Sequence, residues 1–214
     1  MSEVKVFHPA ELDEQYWRAL QGIAKVSLTE SMRAVNRDEP ELDAQRLVDW
    51  DDPERYCASH LDPNTERGRR YNARQEYVNP GVAVAFNDAG QRVGFAYTAH
   101  NVSGSFVERR AKLLMPSKRY LWLRDVVVLP EYQESGVATD MVAGLLESPE
   151  VDERQPVSTY IWPQLMPVLA SILQRHGFED RGSMEVYPFG TEEATDQHFM
   201  VAPAVGDLLA QWRS

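Results

Sequence analysis

Apolar and polar residues alternate through VKVFH at positions 4–8, the period of a short half-buried strand. From about Pro9 to Val35 the period lengthens to that of a helix, with Leu12, Tyr16, Leu20, Ile23 and Val26 expected on one buried face. Between Asp38 and Pro80 the chain is charged and interrupted by Pro40, Pro53, Pro63 and Pro80, which predicts helices and loops without strands and one helix over Leu42–Trp50. VAVAF at 82–86 and RVGFAYTA at 92–99 flank the turn sequence NDAG and predict a β-hairpin. Residues 104–118 read as weak helix or loop. RYLWLRDVVVL at 119–129 is the strongest strand pattern in the chain.

That strand ends at Pro130 and passes through Ser135, Gly136, Val137 and Ala138 into a helix expected over about Gly136–Glu147, stopping near Pro149. Beyond it, VSTYIW (157–162) predicts a strand and LMPVLASILQRHGF (165–178) a helix closed by Gly177. MEVYPF and QHFMVA predict two more strands, and APAVGDLLAQW a terminal helix. A hairpin first and strand–helix alternation later describe an α/β chain whose mixed sheet carries helices on both faces.

Composition narrows the function without naming it. A length of 214 residues suits one domain with a full core. Apolar residues at 43% and charged residues at 26% are ordinary for a globular protein. The N-terminal stretch has no unbroken apolar segment and no run is long enough to span a bilayer, so a cytoplasmic location and no membrane association are expected. The single cysteine, Cys57, and five scattered histidines show no metal-ligand spacing, so no metal is expected. A formal charge of −11 argues against a duplex nucleic-acid binder and favours cationic partners. RGRRYNAR at 67–74, the one basic cluster, reads best as a solvated face balanced by Glu66 and Glu76.

The chemistry is concentrated at LPEYQESGVATDM, 129–141. No Lys follows the glycine and there is no GxGxxG, which excludes a nucleotide-triphosphate loop and a dinucleotide fingerprint. Small residues between a strand and a helix leave the first helical N–H groups pointing at one spot, with the positive end of the helix dipole behind them. Such a spot takes an anion: Gly136 allows close approach to the backbone, Ala138 keeps the next contact small, and Ser135 or Thr139 offers a hydroxyl. A plain tight turn is the alternative reading of the same residues.

LRDVVVLPEYQESGVATDM resembles the acetyl-CoA-binding signature of the GCN5-related N-acetyltransferase superfamily, V-x-P-x-Y followed by Q/R-x-x-G-x-G/A, through Val128, Pro130, Tyr132, Gln133, Gly136 and Ala138. ASILQRHGFED is similar to a second element of that family, a helix ending in G-F, through Gly177 and Phe178. The resemblance implies a mostly antiparallel central sheet in which two strands splay apart around acetyl-CoA, used as a co-substrate. It implies that backbone groups of Val126, Val127 and Val128 bond the pantetheine arm. Gln133, Glu134, Ser135, Gly136, Val137, Ala138 and Thr139 would then surround the pyrophosphate. The implied reaction is direct attack of a primary amine, on a small molecule or a protein, at the acetyl thioester.

An amine of pKa about 10.4 is neutral only about four times in ten thousand at pH 7, so a base is useful. Asp125, a carboxylate within an apolar strand, is the candidate, with an ion pair to Arg124 as its structural alternative. YLWLRDVVVLPEY also resembles diamine acetyltransferases of the family, but Arg124 replaces an acidic residue there and polyamine specificity does not follow. Glu108, Glu131 and VDWDDPE around Trp50 are further amine-facing candidates. The family's general-acid Tyr is replaced by Leu173 and its usual Asn by Met166. His176, near the same helical face, stands as the substitute acid, with a surface histidine as the alternative. Cys57 and His60 read as incidental. Transfer of another acyl or an aminoacyl group, or a non-catalytic CoA-binding module, stays open, as does assembly as a homodimer.

Overall fold

A computed structural model of the chain describes residues 3–8, 11–48, 81–100, 120–149, 151–161, 167–186, 195–202 and 204–213. Among the described residues the alternating segments form one seven-stranded sheet. Its strands are β1 (Glu3–Phe7), β2 (Val82–Phe86), β3 (Arg92–His100), β4 (Leu121–Val128), β5 (Val157–Ile161), β6 (Glu179–Val186) and β7 (Thr195–Ala202), in the order β1-β2-β3-β4-β5-β7-β6. Every neighbouring pair is antiparallel except β4 and β5. The expected hairpin is β2–β3. Its turn is organised by Asn87, whose side-chain oxygen accepts the N–H groups of Ala89 and Gln91.

Helices cover both faces, as the alternation of strand and helix patterns predicts. On one face lies α1 (Glu14–Ala34), whose Trp17, Leu20 and Ala24 pack on Val82, Val84, Phe95 and Tyr97. The other face carries α3 (Val137–Leu146), α4 (Pro167–Arg175) and α5 (Val205–Trp212). Met141, Leu145, Leu173 and Leu208 from these helices share one cluster with Ala83, Ala85, Ala96 and Leu121 of the sheet. The short helix α2 (Pro40–Val48) follows α1 and is tied to its end by an Arg37–Asp43 ion pair of 3.0 Å.

Several boundaries differ from the sequence expectation. The first helix starts at Glu14 instead of Pro9, because Asp13 accepts the Tyr16 N–H at 2.7 Å and caps it there. Val26 is 50% exposed, since the buried stripe runs through Trp17, Leu20, Ala24 and Ser27 and passes it by. The second helix begins at Pro40, where a missing N–H costs nothing. β6 starts at Glu179, five residues before the expected MEVYPF. Among the described residues it is an edge strand paired only with β7, so polar residues are tolerated and mask its pattern, and its register shifts between Asp180 and Ser183. Residues 49–80 and 104–118, with Cys57, His60, Glu108 and most of the VDWDDPE run, lie outside the described residues. Among the described residues no helix is long and apolar enough to cross a membrane.

Close approach of α3 to the sheet depends on Gly94, where a Cβ would meet the Val127 carbonyl oxygen at 2.7 Å and the Met141 Cε at 3.2 Å. Gly94→Ala should therefore lower unfolding free energy by about 1–3 kcal/mol in urea denaturation. A second expectation concerns acid. Asp180 Oδ2 lies 2.6 Å from His198 Nδ1 across the β6–β7 pair. Partial burial pushes the Asp180 carboxyl up, but hydrogen bonds from His198 and the Gly182 N–H, with the His198 charge, outweigh it and hold the group below its ordinary value. A depressed carboxyl stabilises the fold above its unfolded pKa, near about 3.9, and loses that contribution as pH falls through the folded value. Asp180→Asn should lower Tm by about 1–3 °C at pH 7 and leave it unchanged well below the folded value, where both side chains are uncharged.

Candidate active site

The site is built around an interruption in β4. Tyr97 stands opposite Asp125 and Thr98 opposite Leu123, so Arg124 is an extra residue, a β-bulge. The bulge resets the alternation: Leu123 and Val126, three apart, both face α3, while Val127 faces α1. By the same alternation Asp125, half-buried, is placed on the α1 face. Below it on that face, Trp122 packs in an aromatic cluster with Tyr120, Phe199 and Tyr160, its ring centroid 4.2 Å from that of Tyr160.

On the other side of β4 the sheet opens. β5 pairs with it only at Leu121↔Val157 and Trp122↔Ser158, and beyond these the two strands part. The remaining edge of β4 is not uniform. Leu129 donates to the Val93 carbonyl at 2.8 Å, so in the alternating ladder Leu129 and Val127 turn their main chain towards β3. Val126 and Val128 turn theirs into the gap. Of the three expected pantetheine-binding residues, two present backbone groups there and Val127 does not.

A tight loop follows. Pro130–Tyr132 forms one 3₁₀ turn, with Tyr132 N–H bonded to Leu129 and Gln133 N–H to Pro130. The Tyr132 hydroxyl accepts a bond from Asn87 Nδ2 at 3.0 Å, which fastens the hairpin turn to this loop. Gln133 Nε2 donates to the Val128 carbonyl at 3.0 Å, and the Ser135 hydroxyl donates to the Tyr132 carbonyl at 2.6 Å. Glu134 and Gly136 have φ of 60° and 87°, the left-handed region. Gly136 is the N-cap of α3 and no side chain caps that helix. The space above it is open, with nothing within 4 Å of where a Cβ would stand. Gln133, Glu134, Ser135 and Ala138 are exposed, Thr139 is half-buried, and Val137 is in the core, so Val137 offers this end its N–H alone. The Ser135 hydroxyl proton is already committed to Tyr132, so its hydroxyl is a brace within the loop.

The structure does not bring His176 to this place. Helix α4 ends in a Schellman motif: Gly177, with φ of 83°, donates to the Gln174 carbonyl, and Phe178 donates to that of Leu173. Leu173 and Phe178 are the buried apolar pair of that motif. His176 lies at the cap, its ring edge-on to Trp212 at 5.4 Å. Glu179, three residues on, pairs with Val201, which pairs with Ser158, the partner of Trp122, so His176 sits by the closed end of the β4–β5 pair. Burial, and then the charge of Arg175, push its pKa below the ordinary value and favour neutral imidazole. His176 thus stands at the cap of α4 against Trp212, with its imidazole pKa held down by partial burial. Met166 lies outside the described residues.

The sequence carried no mark of the Arg124 bulge or of the Gln133 and Asn87 side-chain bonds. Asn87 was readable as a turn residue, but its second bond spans 45 positions.

Solved structures superpose on nearly the whole of this architecture and show its class: the chain has the fold of the GCN5-related N-acetyltransferases. A GCN5-related N-acetyltransferase from Rhodopseudomonas palustris superposes with a TM-score of 0.55 at 11% identity, covering 94% of each chain. The PaiA N-acetyltransferase from Thermoplasma acidophilum, solved in complex with coenzyme A, gives 0.54 at 11% identity, over 94% of this chain and 99% of that one. The ribosomal-protein-S18-alanine N-acetyltransferase from Escherichia coli gives 0.51 at 15% identity, over 95% and 94%. No protein-family model matches the sequence, and no curated protein sequence matches it.

The left-handed backbone at Gly136, in open space, separates strain from crowding. Gly136→Ala should destabilise the fold by about 1–2 kcal/mol, read by urea denaturation. Gly136→Asn, which tolerates this region better, should recover part of the loss.

Proposed function

We propose that the protein is an acetyl-CoA-dependent N-acetyltransferase that acts on a primary amine of a small molecule or protein, by direct attack in a ternary complex. The observation that carries the proposal is the parting of β4 and β5 beside a loop that ends in an uncapped helix N-terminus. Val126 and Val128 offer main-chain donors and acceptors along the gap, suited to the amides of a pantetheine arm. At its end the N–H groups around Gly136 to Thr139, with the α3 dipole behind them, suit a pyrophosphate. The open space above Gly136 fits the approach of such a group. That a protein of the same fold was solved with coenzyme A supports the donor assignment.

When bound, the donor supplies a thioester carbonyl to be attacked. The amine nitrogen bonds to that carbonyl carbon, the C–S bond breaks, and CoA leaves as a thiolate that takes up a proton. The protein's own part is to align the donor and to accept the proton that the ammonium form must lose. Asp125, on the α1 face at the height where β4 and β5 diverge, receives that proton directly or through water. With His176 at the α4 cap against Trp212 and Leu173 buried, no side chain here is assigned to protonate the thiolate. A thiol of pKa about 8.5 is a tolerable leaving group, so transfer is slowed without being forbidden. A buried Leu173 also favours the second reading, a module that binds CoA without turnover.

Acetyl-CoA at a hundred times its Kd should stabilise the folded chain by about 2.7 kcal/mol, visible as a higher Tm. Gly136→Asp should remove that shift while folding, since Asp tolerates a positive φ and places a negative charge where the pyrophosphate sits. A folded Gly136→Asp variant that binds acetyl-CoA like the parent would refute the cradle. CoA release against a panel of amines, polyamines, aminoglycosides and peptides separates the two readings. With the acceptor found, Asp125→Asn should lower kcat at neutral pH and recover towards high pH, where the amine loses its proton unaided. An equal loss at every pH makes Asp125 structural.

A further inference from the structure

We propose that Gln133 is a positioning residue that splints the anion-binding loop to the end of β4. The Val128 main chain faces the gap between β4 and β5, where the ladder supplies no partner. Its carbonyl is nevertheless occupied, by Gln133 Nε2 at 3.0 Å, five residues further along. The main-chain bonds of the intervening turn, Tyr132 to Leu129 and Gln133 to Pro130, close that turn on itself. The Gln133 side chain ties it to the strand.

The residue that follows shows why such a tie is needed. Glu134 holds a φ of 60°, a conformation that a side chain with a Cβ keeps only when its surroundings over-determine it. Two side-chain bonds bracket it: Gln133 to the Val128 carbonyl before it, and the Ser135 hydroxyl to the Tyr132 carbonyl after it. Together they hold the turn that aims the N–H groups ahead of α3. With the Val128 carbonyl taken, the open edge around the bulge-proximal half of the gap leaves three groups for a ligand: the Val126 N–H, the Val126 carbonyl and the Val128 N–H. This consequence for ligand binding rests on the acetyl-CoA reading above; the splint itself does not.

The 214-residue chain without ligand tests the splint directly, by amide hydrogen exchange followed with NMR. In Gln133→Leu the amides of Tyr132 and Gln133, bonded within the turn, should exchange about fivefold faster, the effect of one lost hydrogen bond, while Val127 and Leu129, held by β3, stay as in the parent. Gln133→Arg, which keeps a side-chain N–H donor, should restore the parent rates. Parent-like exchange in Gln133→Leu overturns the proposal. Titration with CoA and with 3′-phosphoadenosine 5′-diphosphate, which lacks the pantetheine arm, supplies the second readout. Both should bind Gln133→Leu about fivefold more weakly and Gln133→Arg like the parent. Tighter CoA binding by Gln133→Leu overturns the splint, since it means that the side chain is a cap the ligand must displace. If the parent binds neither compound while the exchange pattern holds, the splint stands and the acetyl-CoA reading falls.

Discussion

A parallel neighbour that accompanies β4 for only Leu121 and Trp122 leaves the rest of that strand with main-chain groups facing a gap. A buried donor or acceptor without a partner costs about 1–3 kcal/mol, so such an edge must be met by water, by a side chain or by a ligand. Much of the remaining architecture follows from keeping the gap open and defined. On its β3 side β4 is laddered above and below the Arg124 bulge, and Gly94 lets α3 press close behind it. At its end, the Val128 carbonyl is met by Gln133 and the chain turns at once into α3.

The bulge at Arg124 divides labour between the two faces of β4. Without an extra residue, Leu123 and Asp125 would share one face and the carboxylate would be directed into the cluster under α3. With it, Leu123, Val126 and Val128 serve that cluster while Val127 and Asp125 turn to α1. One strand thus lines a cleft with main-chain groups along its edge and carries a carboxylate on the opposite face from the anion loop. On the function proposed above, the acceptor and the donor would approach the gap from different sides.

The strand patterns at Val82–Phe86, Leu121–Val128 and Val157–Ile161 were legible because each is buried on both faces, and the apolar run itself is the signal. The loop from Pro130 to Gly136 was legible for another reason: proline, small residues and glycine restrict the backbone locally, whatever surrounds them. β6 was misplaced because an edge strand with one neighbour tolerates polar residues, and Asp180 and Ser183 hide its period. The surroundings of His176 were not legible, because helical spacing places residues on a face of α4 but says nothing of the direction in which that helix runs past the sheet. Leu173, placed where a proton donor was sought, proved to be half of a helix-terminating apolar contact with Phe178.

By itself the sequence determined what short-range physics controls: the existence and type of most elements, the left-handed turns at Gly136 and Gly177, and the uncapped helix start after the loop. Only the tertiary structure decided what depends on contacts between distant positions. The parting of β5 from β4 joins residues 36 apart, the bulge is visible only against β3, and the Asn87–Tyr132 bond spans 45 positions. Which of Val126, Val127 and Val128 faces the gap is a matter of register, and register exists only between paired strands.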